Sequence, residues 1–241
     1  MKEIWDDFLA FLAAAWRERP RHLLPWLIVL VLIAAAGASA FRIDRAVAAL
    51  APPEGGPFSH LAGEFSFWGD FPTGTILLSL TLVIVGTAAR RPAWRRAGFA
   101  ALLAAVVAGS AVSTARITLG RPRPYATAAE VEGRIGHVPA PLVTFGAPVP
   151  PGQLADGFYG PQFPAMFHGF PSGHAATSLA TAAALTAALP PLGLGVSLGA
   201  LGVCWSRVYL RRHYLSDLAV GGGVGIAVGL FFGAVARRRR S

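Results

Sequence analysis

Three short segments of this 241-residue chain carry residue types suited to chemistry on a phosphate ester. Arg116 is followed after six residues by Arg123-Pro124, Pro171-Ser172-Gly173-His174 comes next, and Ser206-Arg207 precedes His213 and Asp217. A phosphomonoester dianion needs positive charge on its non-bridging oxygens, a nucleophile in line with the leaving oxygen, and a proton donor for that oxygen. Arg116, Arg123 and Arg207 supply planar, forked donors for those oxygens. Pro171 suits the first position of a helix, and Ser172 and Gly173 would then offer free backbone N–H groups to an anion. His213 and Asp217 are four apart, so on a helix they share a face. The carboxylate can accept the Nδ1 proton and leave Nε2 as the nucleophile. Asp217 is the only acidic residue after Asp156 and sits just inside an apolar run. An ionised carboxylate costs at least ~2.5 kcal/mol at full membrane depth, so it needs a partner there.

The elements that must hold these segments are strongly apolar. Hydrophobic residues make up 54% of the chain and charged residues 14%, against roughly 25% charged in a soluble domain, and the mean hydropathy is +0.53. Runs at 23–41, 71–89, 97–115, 171–189, 192–210 and 215–236 each approach the ~20 residues that cross a bilayer as helix. The expected fold is all-α and polytopic, with six transmembrane helices in one domain over 21–241 and an outer loop over 116–170. Ala, Gly, Ser and Thr in the fourth and fifth runs would also suit buried soluble helices.

Residues 1–20 form a separate element. Ile4, Trp5, Phe8, Leu9, Phe11, Leu12, Ala15 and Trp16 recur at helical spacing, with Lys2, Glu3, Asp6, Asp7 and Arg17 off that face. Such an amphipathic helix lies in the membrane interface or packs on the cytoplasmic ends of the bundle. Acids within the apolar pattern argue against a cleaved signal peptide. Lys2, Arg17, Arg19 and Arg21, then Arg90, Arg91, Arg95 and Arg96, then Arg237 to Arg240 fall on one side of a six-span chain. By the positive-inside rule that side is the cytoplasm, with both termini inside. These make up twelve of the 21 basic residues, so most of the +9 net charge answers to anionic headgroups. Nucleic acid thereby loses its main support as a partner. Arginines on the opposite face are left for another purpose.

The three segments stand at span ends on that opposite face, and together they resemble the type-2 phosphatidic acid phosphatase superfamily. Its signatures are Lys-x6-Arg-Pro, Pro-Ser-Gly-His and Ser-Arg-x5-His-x3-Asp. The second and third match fully, and the first has Arg116 where the family usually has lysine, which keeps the charge and adds a fork. The resemblance implies an integral-membrane lipid phosphate phosphatase of the bacterial inner membrane with its active site facing the periplasm. His213 attacks phosphorus to give a phosphohistidine, held by Asp217. His174 protonates the leaving alcohol and then activates water, and Arg116, Arg123, Ser172, Gly173 and Arg207 bind the phosphate. No cofactor or metal enters, and the sequence offers no carboxylate cluster to hold one. Phosphatidylglycerol phosphate, phosphatidic acid, undecaprenyl pyrophosphate and lipid A phosphates are the implied substrates. Phosphoryl transfer to another alcohol and a non-enzymatic transporter with the same fold are the alternatives.

Other residues have plainer expectations. Cys204, the single cysteine, forms no internal disulfide and reads as a small core residue. Arg121, Arg211 and Arg212 face headgroups or help to hold a polyanionic substrate. His168 reads as a loop residue, and His22, His60 and His137 carry no role. Gly221, Gly225, Gly229 and Gly233 form a small-residue face for packing inside the bundle, with a homodimer seam as the alternative. The proline- and glycine-rich stretch 125–170, with Pro139, Pro141, Pro148, Pro150 and Pro151, is long for a connection. Its Phe145, Phe158, Tyr159, Phe163, Met166, Phe167 and Phe170 suit either an interfacial lid or a cover over the bundle top.

Overall fold

The computed structural model describes residues 2–18, 24–52, 55–145, 152 and 154–238. Arg19, Arg21, His22, Leu23, Pro148, Pro150, Pro151, Arg239 and Arg240 lie outside them. In chain order the helices are α1 (Lys2–Arg17), α2 (Leu24–Phe41), α3 (Asp44–Ala49), α4 (Ser59–Trp68), α5 (Leu77–Ala88), α6 (Pro92–Leu119), α7 (Ala128–Ile135), α8 (Gly173–Ala188), α9 (Pro190–Tyr209) and α10 (Leu215–Arg238). A π-helical turn, Phe71–Ile76, runs directly into α5.

Among the described residues four helical segments are long and apolar enough to cross a membrane: Phe71–Ala88, α6, α9 and α10. The expected count of six is therefore not reached on length and hydropathy. The described apolar part of α2 is Leu27–Phe41. Helix α8 has 16 residues, about 24 Å at 1.5 Å per residue. It also needs little lipid-facing apolar surface, because Ala175, Ala176, Ala180, Ala184 and Leu185 are wholly buried in the bundle. Length and composition make the chain a multi-pass, all-α membrane protein.

Helix α8 packs most extensively on α10, and the glycines of α10 make this possible. A Cβ at Gly221, Gly225, Gly229 or Gly233 would fall 2.3–2.4 Å from the carbonyl oxygens of Ser172, Ala176, Ala180 or Ala184. The small-residue face thus seats one backbone against another within the bundle. Helix α6 completes the packing around α8 and α10, and Thr75 of the π-turn shares a 2.9 Å hydrogen bond with Thr181 of α8.

Helix α1 packs on one end of this bundle. Phe11 is fully buried against Phe99 of α6 and Phe232 of α10, and Arg95 pairs with Glu3 and Asp7. Trp5 and Trp16 stay exposed on its other face.

At the opposite end, the connections hold more structure than the sequence pattern suggested. Residues 42–70 contain α3 and α4, too short to span but apolar enough for α4 to pack on α9. The third span extends past 115, so Arg116 stands in the last turn of α6 rather than in the loop. The following stretch forms α7, opened by a Thr127/Glu130 capping box, then a two-stranded antiparallel pairing of β1 (Val143–Thr144) with β2 (Gly157–Phe158). Val131, Tyr159, Met166 and Phe167 form a small core there, while Phe145, Phe158 and Phe170 gather around Phe41. Of the expected lid aromatics, Phe163 alone is strongly exposed, so the described part of the segment packs as a cover over the bundle end.

Candidate active site

The cover end of the bundle collects all three segments. Arg116 projects from the last turn of α6, which ends at Gly120 in the left-handed conformation (φ 61°). Arg123 follows on a strand-like stretch whose N–H donates to the Met166 carbonyl at 2.8 Å. Arg207 lies in the last turn of α9, and its own carbonyl accepts the N–H groups of both Arg212 (2.9 Å) and His213 (3.1 Å). That tight closure explains why five residues between Arg207 and His213 suffice to bring both to one place.

Pro171 is not the first helical residue. Ser172 is the N-cap of α8, its hydroxyl accepting from Ala175 N–H, and Pro171 precedes it. Nor is the Ser172 N–H free for an anion, since it donates to the Asp217 carbonyl at 2.9 Å. Ser172 thereby ties α8 to α10. Gly173 serves through its missing side chain: a Cβ there would lie 3.0 Å from Nη1 of Arg116, so glycine admits the guanidinium against the start of α8.

His213 is buried. Its Nδ1 lies 2.7 Å from the Gly169 carbonyl and 3.4 Å from Oδ2 of Asp217. The nearer acceptor is thus the peptide oxygen, with the carboxylate second, because Asp217 is already engaged: Oδ1 accepts from Arg121 and Oδ2 from the Tyr214 N–H, each at 2.7 Å. Either acceptor leaves Nε2 without the proton. Burial lowers the His213 pKa to about 4; the hydrogen bond and charge of Asp217 oppose that shift, and Arg207 and Arg123 add to it. The ring is neutral at physiological pH.

His174, in the first turn of α8, has Nε2 3.5 Å from Oδ1 of Asp70, and it lies within the field of the Arg207, Arg123 and Arg116 cations. A cavity of about 490 Å³ opens beside it, lined by Asp70, Phe71, Ala105, Val106, Ser110, Arg116 and Thr177. Nε of Arg116, of Arg123 and of Arg207 is buried without a hydrogen-bond partner. Burial holds Arg123 below the ordinary arginine value; Tyr125 opposes that shift, and the charges of Arg212 and Arg116 deepen it. Cations crowded and partly desolvated in this way are stabilised by a multivalent anion between them.

A family model described as the PAP2 superfamily matches residues 96–241, which include all three segments. The chain belongs to the PAP2 superfamily. A solved structure described as the first transmembrane PAP2 type phosphatidylglycerolphosphate phosphatase from Bacillus subtilis is 19% identical, with 97% of this chain and 94% of that one covered and a TM-score of 0.38. No curated protein matches the sequence. PAP2 membership supports a phosphatase.

Several residues that meet these three segments have no local signal in the sequence. Asp70 comes from the turn before α5, Ser66 of α4 accepts from Arg207, and Gly169 supplies the carbonyl at His213. Arg121, expected at the surface, is fully buried. Arg211 and Arg212 are exposed as expected, with Arg212 over the Tyr125 ring at 4.8 Å. His168 bonds the Gln162 carbonyl through Nε2 at 3.0 Å.

Proposed function

We propose that this protein is a lipid phosphate phosphatase that works through a phosphohistidine on His213. The observation that carries the reading is the convergence of three guanidinium groups, that of Arg207 buried and those of Arg116 and Arg123 half-buried, each with a buried Nε that has no hydrogen-bond partner, on the end of the bundle that holds His174 and His213. Arg116, Arg123 and Arg207 bind the non-bridging oxygens, assisted by the first turn of α8 at Gly173, while Ser172 holds that turn against α10. Nε2 of His213 attacks phosphorus, the bond from phosphorus to the ester oxygen breaks, and His174 gives its proton to the departing alkoxide. His174 then takes a proton from water, the oxygen attacks phosphorus, the N–P bond breaks, and inorganic phosphate leaves. No step is routed through a metal ion.

The apolar wall of the cavity beside His174, formed by Phe71, Ala105 and Val106, suits an acyl or prenyl chain and supports a lipid as the ester. Phosphatidylglycerol phosphate, phosphatidic acid, undecaprenyl pyrophosphate and lipid A phosphates are the candidates. In this reading α2, the π-turn with α5, α6, α8, α9 and α10 are six spans of a bacterial inner membrane, both termini are cytoplasmic, and the site faces the periplasm.

Purified protein in detergent, given each lipid phosphate in turn with divalent cations chelated, is expected to release inorganic phosphate. His213→Ala and His174→Ala are expected to lose at least about 10³-fold in kcat. Wild-type turnover in either variant would remove the mechanism, and a phosphorylated alcohol in place of free phosphate would show transfer rather than hydrolysis.

A further inference from the structure

Arg121 stands two residues before Arg123 yet can take no part in holding a phosphate. Its guanidinium has five N–H donors, and all five are used. Nε and Nη2 grip Asp156 at 2.8 Å each, Nη2 also reaches Asp44 at 2.9 Å, and Nη1 reaches Ser216 and Asp217 at 2.7 Å each. Phe41 and Tyr214 place their rings 4.6 and 4.2 Å from its carbon. Burial alone would lower its pKa, but Asp217, Asp156 and Asp44 outweigh burial and hold it above the ordinary arginine value.

One cation buried with three carboxylates is costly to desolvate, and for stability alone an apolar cluster of the same volume does as well or better. The connections of Arg121 indicate what the arrangement does. Its side chain holds Oδ1 of Asp217, which leaves Oδ2 facing Nδ1 of His213. Its backbone carbonyl accepts the Gly169 N–H at 2.9 Å, and the carbonyl of Gly169 is the nearer acceptor of Nδ1. Both groups that orient the His213 ring are therefore set by Arg121. Asp44 secures the other side: Oδ1 accepts the Ser216 N–H at 2.8 Å, in the first turn of α10, one residue before Asp217.

We propose that Arg121, fixed by Asp44 of α3 and by Asp156, is a positioning residue that holds the imidazole of His213 in its attacking orientation through Asp217 and Gly169. This rests on the phosphohistidine reading. It brings into the active site a residue, Asp44, that lies outside the 96–241 match to the family.

The test uses Asp44→Asn, Asp156→Asn and Arg121→Lys in the full chain, with the lipid phosphate of highest turnover. Each variant is checked for a single species in detergent and for its apparent melting temperature. Folded variants are expected to lose about 10- to 100-fold in kcat with KM changed less than about threefold, and to form the phosphoenzyme more slowly in a single turnover. A folded Asp44→Asn with wild-type kcat overturns the proposal, as does a rise in KM with kcat unchanged. If Arg121→Lys does not fold, the two Asn variants decide. Failure of all three to fold assigns the cluster to folding alone and also overturns it. His213→Ala separates the two readings: if it stays active, the phosphohistidine fails, and if it is inactive beside a wild-type-like Asp44→Asn, only the positioning role fails.

Discussion

The carbonyl of Gly169 reaches His213 because nothing stands at its Cβ. An alanine there would put a methyl group 2.8 Å from the Arg121 carbonyl and 3.1 Å from that of Pro122, both rigid backbone atoms. Gly169→Ala is therefore expected to push residues 168–170 away from the Arg121 stretch and withdraw the acceptor from Nδ1. A displacement of this size lowers kcat by about 10- to 100-fold; steady-state kinetics showing unchanged kcat would mean that Asp217 alone suffices. Protonation gives a second test at this scale. His213 has a folded pKa of about 4, set by burial and modified by Asp217, Arg207 and Arg123, whereas an unfolded histidine titrates near ~6.5. Between those values the unfolded chain binds more protons, so the contribution of His213 is present above pH ~6.5 and is lost as pH falls toward 4. The apparent melting temperature in detergent should fall between pH 7 and 4.5, and fall less in His213→Gln. An identical fall in both would place the acid sensitivity elsewhere.

At the scale of elements, the seam between α8 and α10 sets His174 and His213, the proposed acid and nucleophile, relative to one another. His174 opens α8 and Asp217 opens α10, and their relative height depends on backbone contact along Gly221, Gly225, Gly229 and Gly233. Gly225→Leu, whose Cβ would begin 2.3 Å from the Ala176 carbonyl, is expected to separate the helices. Overpacking of this kind costs about 1–3 kcal/mol or more, read as a lower melting temperature together with lost turnover. Gly199→Ala on α9, where a new Cβ meets nothing within 4 Å, is expected to leave both unchanged. Equal effects from the two substitutions would argue against close packing as the reason for the glycines. The period-four glycine pattern was legible in the sequence. Its partner was not, because a small-residue face suits a neighbouring helix and a second copy equally well until the fold brings α8 against it.

For the whole molecule, the two ends of the bundle differ in what they hold. One end carries α1, with Arg95 paired to Glu3 and Asp7, beside the end of α10, where Arg238 pairs with Glu18; the other carries the cover and the site. Phe163, 83% exposed on the cover, is a suitable reporter: Phe163→Cys combined with Cys204→Ala should be labelled by an impermeant reagent from the periplasmic side of intact cells. Labelling only after lysis would invert the proposed orientation. By itself the sequence determined the apolar helices, the order of the three segments and the identity of the two histidines, because each is written in neighbouring residues whose spacing matches a helix or a turn. Only the tertiary structure decided that Arg121 is buried, that Gly169 is the nearer partner of His213, that Asp44 and Asp156 bond Arg121, and that Asp70 lies beside His174. These contacts join residues far apart along the chain, and a buried charge has no local pattern that names the charge it will meet.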